Sequence, residues 1–169
     1  KASPSRGLIR GDFHPAALAR GFEAAGAAAL SVLTNEEFFQ GSLQDLEAAS
    51  SAVRIPCLRK DFMVDPFQVL EARASGADAI LLIVAAQTDK SLSELRDEAR
   101  KTGLDVLCEV HDRSEMRRAV DLGFDLIGVN SRDLRTFQVR TELFEELAGS
   151  RPANAVMVGK HQTVLGHDR

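Results

Sequence analysis

Cysteine is scarce in this chain of 169 residues, and the two it has, Cys57 and Cys108, each lie inside an apolar run without CxxC spacing. That pattern points away from a disulfide framework or a thiolate metal site and towards buried thiols in a reducing compartment. His161 and His167 stand at no metal-ligand spacing with other residues, and with no Trp or Tyr every aromatic side chain is one of nine Phe. No apolar run approaches the roughly 18 residues that a membrane-spanning helix needs. The opening residues, KASPSRG, contain no apolar stretch of the kind that marks a signal peptide. Excess positive charge is missing too: 21 Lys and Arg stand against 25 Asp and Glu, both signs interspersed, for a net charge of -4. A generic nucleic-acid or anionic-membrane surface is therefore not expected. Neither GxGxxG nor GxxxxGK[ST] follows any strand-like run, so a nucleotide-binding doubly wound sheet has no direct support.

What is present is alternation. At 44% hydrophobic the chain can bury one sizeable core, so a single domain is the default. Residues 1–11 read as loop, punctuated by Pro4, Gly7 and Gly11, with no strand before them. Strand candidates lie at 29–34, 56–62, 79–86, 105–111, 126–129 and 155–158, each separated by a helical pattern. The first helix is expected to be capped by Asp12 and to bury Leu18, Phe22 and Ala25; a loop at 35–41 then carries Phe38 and Phe39. Ser42 opens a helix with Leu43, Leu46 and Val53 inward, and Asp65-Pro66 opens one with the stripe Phe67, Leu70 and Ala74. Thr88 or Asp89 caps a helix that buries Leu92, Leu95 and Ala99. The helix at 114–122 buries Met116, Ala119 and Val120, and a short one follows at 142–148. Strands without polar alternation, separated by helices, mean a parallel sheet joined by right-handed crossovers.

Three of these strands run into polar residues at their C-terminal ends. The run 55–58 (IPCL) ends in Arg59-Lys60-Asp61-Phe62, Val106-Leu107-Cys108 runs into Glu109-Val110-His111, and 126–129 runs into Asn130-Ser131-Arg132-Asp133. Unpaired charge in an interior costs several kcal/mol, so these groups are expected at or beyond the strand ends. Polar residues gathered at one rim are the pattern of a β/α-barrel, whose active site lies at that face; eight units need about 250 residues, so six strands make either an open sheet or part of a barrel. On their own, Lys60 beside Asp61 or Glu109 can equally be a structural ion pair, an Asn-x-Arg a turn, a Phe core, and Ser3 a turn hydroxyl. His111 reads as rim scaffolding.

The segments KASPSRG, ALSVLT..EFFQGSL, LRKDF..DPFQV.EARA.GADAILLIVAA, L.EVHD and IGVNSRDLRTF, in this order, closely resemble the indole-3-glycerol-phosphate synthase family. The likeness covers residues 1–158, leaving 159–169 as a divergent tail. It implies a TIM (β/α)8-barrel, here a single partial domain over 1–169 with strands 2–6, an unsettled strand 7, and no strand 1 or 8. It also implies a cytoplasmic lyase of tryptophan biosynthesis that closes the indole ring of 1-(2-carboxyphenylamino)-1-deoxyribulose 5-phosphate, releasing carbon dioxide and water. No cofactor or metal is implied. The partner is a phosphorylated small molecule, with no nucleic acid or membrane, and fusion or association with other enzymes of that pathway is compatible.

By the same resemblance Lys60 is the general acid, Glu109 the general base, and Asn130 a catalytic-site residue that bonds a ribulose hydroxyl. Arg132 suits a phosphate or carboxylate, Ser3 lies beside the phosphate, and Phe39, Phe62 and Leu81 contact the substrate; Phe38 is assigned to the core. The family's Glu-x-Lys of strand 1 would precede Lys1, and Gly159-Lys160-His161-Gln162 stands where the family has a phosphate-holding turn. The 169 residues alone are thus expected to self-associate and to be inactive. Two other classes are alternatives: another phosphate-sugar barrel enzyme such as phosphoribosylanthranilate isomerase, whose reaction wants a carboxylate acid and a cysteine base rather than the LRKDF and EVH pair, so that the motifs count against it, and a non-catalytic remnant or fragment that docks a complementary piece.

Overall fold

The computed structural model describes residues 2–3, 7–8, 12–132, 140 and 142–160, and only the backbone at 2–3, 7–8 and 160. The tail from 161 and the polar exit at 133–137 lie outside the described residues. Short strands β1 (Ala2–Ser3) and β2 (Gly7–Leu8) pair antiparallel, so the expected loop at 1–11 carries a small hairpin. Then come α1 (Pro15–Ala24), β3 (Leu30–Leu33), α2 (Glu36–Phe39), α3 (Leu43–Ser50), β4 (Cys57–Lys60), α4 (Pro66–Ala74), β5 (Ala79–Ile83) and α5 (Asp89–Thr102). They are followed by β6 (Asp105–Val110), α6 (Arg113–Asp121), β7 (Leu126–Asn130), α7 (Leu143–Ala148) and β8 (Val156–Lys160).

Strands β3 to β8 are hydrogen-bonded neighbours in chain order, and the registers of β3 with β4, β4 with β5, β6 with β7 and β7 with β8 are all parallel. Consecutive parallel strands with a helix between each pair are the alternation of a β/α-barrel, here six strands long. The unsettled last strand is real: β8 pairs with β7 from Leu126↔Val156 to Asn130↔Lys160. The chain divides into two compact units, residues 1–82 with 90–107, and 83–89 with 108–169.

In the first unit, proline at the first helical position fixes where α1 starts, so His14 and not Asp12 is the cap residue, and it makes no side-chain cap bond. The face of α1 also differs from expectation. Ala19 is its buried residue, while Phe22 is exposed and lines an apolar groove with Phe13, Leu18 and residues 30–33 of β3. Residues 36–39, expected as loop, are a helical turn because the Asn35 side chain accepts from the Phe38 N–H at 2.9 Å. Gln40 closes that turn in the left-handed region at φ 52°, and the Gly41 N–H returns to the Asn35 carbonyl at 2.9 Å. Ser42 caps α3 through the Asp45 N–H at 3.1 Å, as expected, and Leu46 and Ala49 are its buried side chains.

Asp65 opens α4 with a capping box, its carboxylate on the Phe67 N–H and Gln68 reaching back to the Asp65 N–H. Its buried face is Val69 and Ala72, whereas Phe67 and Leu70 of the expected stripe are 64% and 45% exposed. Buried Arg59 is the cause: it draws the Gln68 carbonyl to 2.8 Å and Glu71 to 3.5 Å, turning that side of α4 inward. The strand expected at 79–86 stops at Ile83, and Val84–Ala86 wind into a 3-10 turn. Leu92, Leu95 and Ala99 of α5 are buried as read.

In the second unit, Asp112 caps α6 through the Glu115 N–H at 2.9 Å, one residue earlier than the expected start, and Met116 and Ala119 are buried with Ile127, Val129, Leu143 and Leu147. Arg118 reaches back from α6 to the Val84 and Gln87 carbonyls at 3.1 and 2.7 Å and to Asp89 at 2.7 Å.

Gly41 explains the glycine of the EFFQGSL segment. A Cβ there would run into the carbonyl of Leu33 and the N–H of Thr34, backbone atoms at the end of β3 that cannot swing aside. Gly41→Ala should therefore destabilise the chain by about 1–3 kcal/mol, the usual cost of forcing a backbone shift. A urea midpoint equal to that of the parent would contradict this close approach.

Candidate active site

Two clusters of polar side chains sit at strand ends, one in each unit. In the first, β4 carries Arg59 and Lys60. Arg59 lies within the strand and is 4% exposed, contrary to the expectation that charge stays beyond the strand end. It is tolerated because the guanidinium is enclosed by acceptors: Thr34 Oγ1 at 3.2 Å, the Gln68 carbonyl at 2.8 Å, Asp61 Oδ2 at 3.3 Å and Glu71 Oε2 at 3.5 Å. Asp61 also accepts from Thr34 Oγ1 at 2.7 Å, Asn35 Nδ2 at 3.2 Å and the Phe62 N–H at 2.9 Å. This carboxylate is therefore a structural counter-ion of Arg59.

Lys60 is the last residue of β4 and is half-buried; its carbonyl accepts from the Thr34 N–H at 3.2 Å. Next to it Phe62 is 44% exposed and packs edge-to-face on Phe38, ring centroids 6.2 Å apart at 84°. The sequence reading gave Phe38 to the core; in the structure Phe38 is 49% exposed and is the ring that touches Phe62, while Phe39 is half-buried. The one-turn helix α2 turns its two aromatic residues to different sides. Leu81 is buried in β5, and Ser3 lies in β1, where only the backbone is described.

In the second unit, Glu109 of β6 is 7% exposed and Asn130 at the end of β7 is 5% exposed. Asn130 Nδ2 donates to Glu109 Oε1 at 3.0 Å, and Asn130 Oδ1 accepts the Arg132 N–H at 3.2 Å, which starts the chain's turn away from β7. Arg132 is half-buried. His111 brings Nε2 to 3.4 Å from Glu109 Oε1 and Nδ1 to 3.0 Å from Glu115 Oε2. Burial alone would lower the His111 pKa, but the two carboxylates outweigh it and raise it to about 9. Both cysteines are free and buried. Burial, with Asp78 and Glu23 adding to it, raises the Cys57 thiol, and burial pushes Cys108 up to about 12, so neither thiol is a base or nucleophile near neutral pH.

The sequence reading placed Arg59 at or beyond the strand end with Lys60 and Asp61; its position two residues after Cys57, on the same buried strand face, was the signal that it turns inward. Among the described residues no group of three or more His, Cys, Asp or Glu could hold a metal ion.

A family model described as indole-3-glycerol phosphate synthase matches residues 1–161. The chain belongs to that family. Among its relatives are the indole-3-glycerol phosphate synthases of Koribacter versatilis, 65% identical over 160 residues, and of Azospirillum brasilense, 52% identical over 160; each alignment covers 95% of this chain, and 62% and 61% of those proteins. The chain thus spans about three fifths of the length of these family members. In structure it is similar to an N-acetylmannosamine-6-phosphate 2-epimerase from Clostridium perfringens, with TM-score 0.67 and 15% identity, over 87% of this chain and 68% of that one. A 3-hexulose-6-phosphate synthase from Salmonella typhimurium gives TM-score 0.62 at 11% identity, over 78% of this chain and 66% of that one. At such identities the likeness establishes the β/α-barrel fold and nothing of the chemistry.

The enclosure of Arg59 makes a direct prediction. Removing one partner of a buried pair leaves an uncompensated charge, at a cost of about 3–5 kcal/mol. Asp61→Ala should lower stability by that order in a urea titration followed by circular dichroism. A loss under about 1 kcal/mol would mean that Arg59 finds water or another carboxylate, and that its network is not what fixes the end of β4.

Proposed function

We propose that this chain carries the catalytic strand ends of an indole-3-glycerol phosphate synthase. The reaction takes 1-(2-carboxyphenylamino)-1-deoxyribulose 5-phosphate, closes the indole ring, and releases carbon dioxide and water. The observation that carries the reading is the buried Glu109 carboxylate held by Asn130 Nδ2 at 3.0 Å, in a chain of this family that also ends β4 in Lys60. A carboxylate fixed by a donor and screened from water is a positioned proton acceptor, and a half-buried ammonium is a proton donor.

In this reading the aryl carbon attacks the ketone carbon of the ribulose chain while the Lys60 ammonium protonates the ketone oxygen. Carbon dioxide leaves from the ring carbon that carried the carboxyl group, which restores aromaticity. Glu109 takes the proton given up by the methylene carbon beside the nitrogen and returns it to the hydroxyl, which departs as water as the five-membered ring becomes an indole, and Lys60 regains its proton from solvent. Asn130 bonds a ribulose hydroxyl as well as Glu109, and the planar fork of Arg132 suits the phosphate or the carboxylate. Phe62 and Phe39 flank the anthranilate ring, buried Leu81 backs it with apolar surface, and Ser3 serves the phosphate. The reaction so written needs no cofactor. The reading extends to a cytoplasmic enzyme and to association with other enzymes of tryptophan biosynthesis; among the described residues no helix is long and apolar enough to cross a membrane. The cysteine base that the isomerase alternative wants has no support, since both thiols are held in the protonated form.

The test uses a chimera in which the 65% identical relative supplies the flanking segments that this chain does not span. Lys60→Met and Glu109→Gln should each lower the single-turnover rate by about 10²–10⁴-fold while substrate still binds, the usual worth of one positioned proton-transfer group. Turnover within about threefold of the parent, a small fraction of that worth, excludes the role for the residue changed. Loss of activity that tracks a collapse of the melting temperature assigns Glu109 to structure instead.

A further inference from the structure

His111 was expected to be rim scaffolding, yet its surroundings are those of a working ion. Its two ring nitrogens both face carboxylate oxygens: Nδ1 lies 3.0 Å from Glu115 Oε2 and Nε2 lies 3.4 Å from Glu109 Oε1. Ionised carboxylates only accept hydrogen bonds, so a ring placed between two of them carries a proton on each nitrogen. We propose that His111 is a positioning residue for Glu109, a cation clamped between two carboxylates that keeps the base ionised and aimed. This rests on the reading of Glu109 as the base.

The clamp is built from one side. Glu115 Oε2 accepts the His111 backbone N–H at 2.8 Å as well as Nδ1, and the Glu115 N–H is itself held by Asp112 Oδ1 at 2.9 Å. The ring is therefore fixed to the start of α6 through both its own main chain and its side chain. On the other side the contact is looser. At 3.4 Å, Nε2 is within ion-pair reach of Oε1 but makes no aligned hydrogen bond, although it is buried. Asn130 Nδ2 reaches that same oxygen at 3.0 Å. Two donors from different elements thus converge on one oxygen of Glu109, one tight and one slack. Such slack is common at unliganded sites, where catalytic hydrogen bonds tighten once substrate is bound.

Among the described residues, the carboxylates against the ring are Glu109 from β6 and Glu115 from the start of α6. Arg118, further along α6, spends its guanidinium on Asp89 and on the carbonyls of Val84 and Gln87. The balance favours the imidazolium, in line with a pKa raised to about 9. A cation at that distance favours the ionised form of Glu109, so the base stays ready at lower pH than it would alone.

Two measurements test this. The first follows the His111 ring nitrogens by NMR in the 169-residue chain, or in the chimera if the chain self-associates, and does not depend on turnover. The ring should stay doubly protonated until about pH 9, and Glu115→Gln should lower that midpoint by about one unit. A neutral ring at pH 7.5 in the parent overturns the proposal. The second measures kcat/KM against pH in the chimera. His111→Gln should lower kcat by roughly ten- to a hundredfold, the cost of a misaimed group, with KM little changed and the acidic limb moved to higher pH. An acidic limb that does not move overturns the positioning role. If His111→Gln does not fold, Glu115→Gln takes its place: as His111 loses its proton at lower pH, activity must fall at lower pH on the alkaline side, and an unmoved alkaline limb counts against the clamp. Should Glu109→Gln keep full turnover while His111 of the unaltered chain titrates near pH 9, the base assignment fails and the ion cluster stands.

Discussion

Burying charge in a parallel sheet is the constraint on which this structure turns. Parallel strands are covered on both faces, so a charged group on one must either leave the sheet or bring its partners with it. Arg59 does the second. Its guanidinium, enclosed by Thr34, Asp61, the Gln68 carbonyl and Glu71, ties β3, β4 and α4 together at the level where β4 ends. Everything beside it follows: the inward face of α4, the outward turn of Phe67 and Leu70, and the direction in which Lys60 and Phe62 leave the strand. Glu109 satisfies the same constraint in the second unit with Asn130 and His111 in place of a guanidinium.

The two clusters differ in their partners. In the Arg59 cluster four acceptors surround the guanidinium at 2.8–3.5 Å, and Asp61 uses both of its oxygens inside it. In the Glu109 cluster an amide nitrogen at 3.0 Å and an imidazole nitrogen at 3.4 Å converge on a single carboxylate oxygen. The charged run of residues 59–61 thus contains neighbours with separate purposes, and adjacency in sequence does not sort them.

Much of the architecture was legible in the sequence because the local signals agreed. The start of the strand at Ala79, the Ser42 and Asp65 caps and the Leu92, Leu95 and Ala99 stripe all appear in the structure as read. The failures have tertiary causes. The stripe Phe67, Leu70 and Ala74 had the right period, but Arg59 across the unit decided which side of α4 turned inward. The helical turn at 36–39 hung on one Asn35 hydrogen bond, too local for periodicity to detect. For the site, residue types at strand ends were visible, and the family likeness supplied their roles. The exposure of Phe38 and its contact with Phe62 were not visible, because neighbours in a one-turn helix differ only in direction.

The central claim is that the Glu109–Asn130 pair at the ends of β6 and β7 meets substrate and is not only a structural pair. It is tested most directly by binding, in the Lys60→Met chimera so that substrate is not consumed. The aminoribulose phosphate is titrated in while the backbone amides of Glu109, His111 and Asn130 are followed by NMR. All three are predicted to respond and to saturate with a single dissociation constant. Amides that stay unmoved at saturating substrate would contradict it.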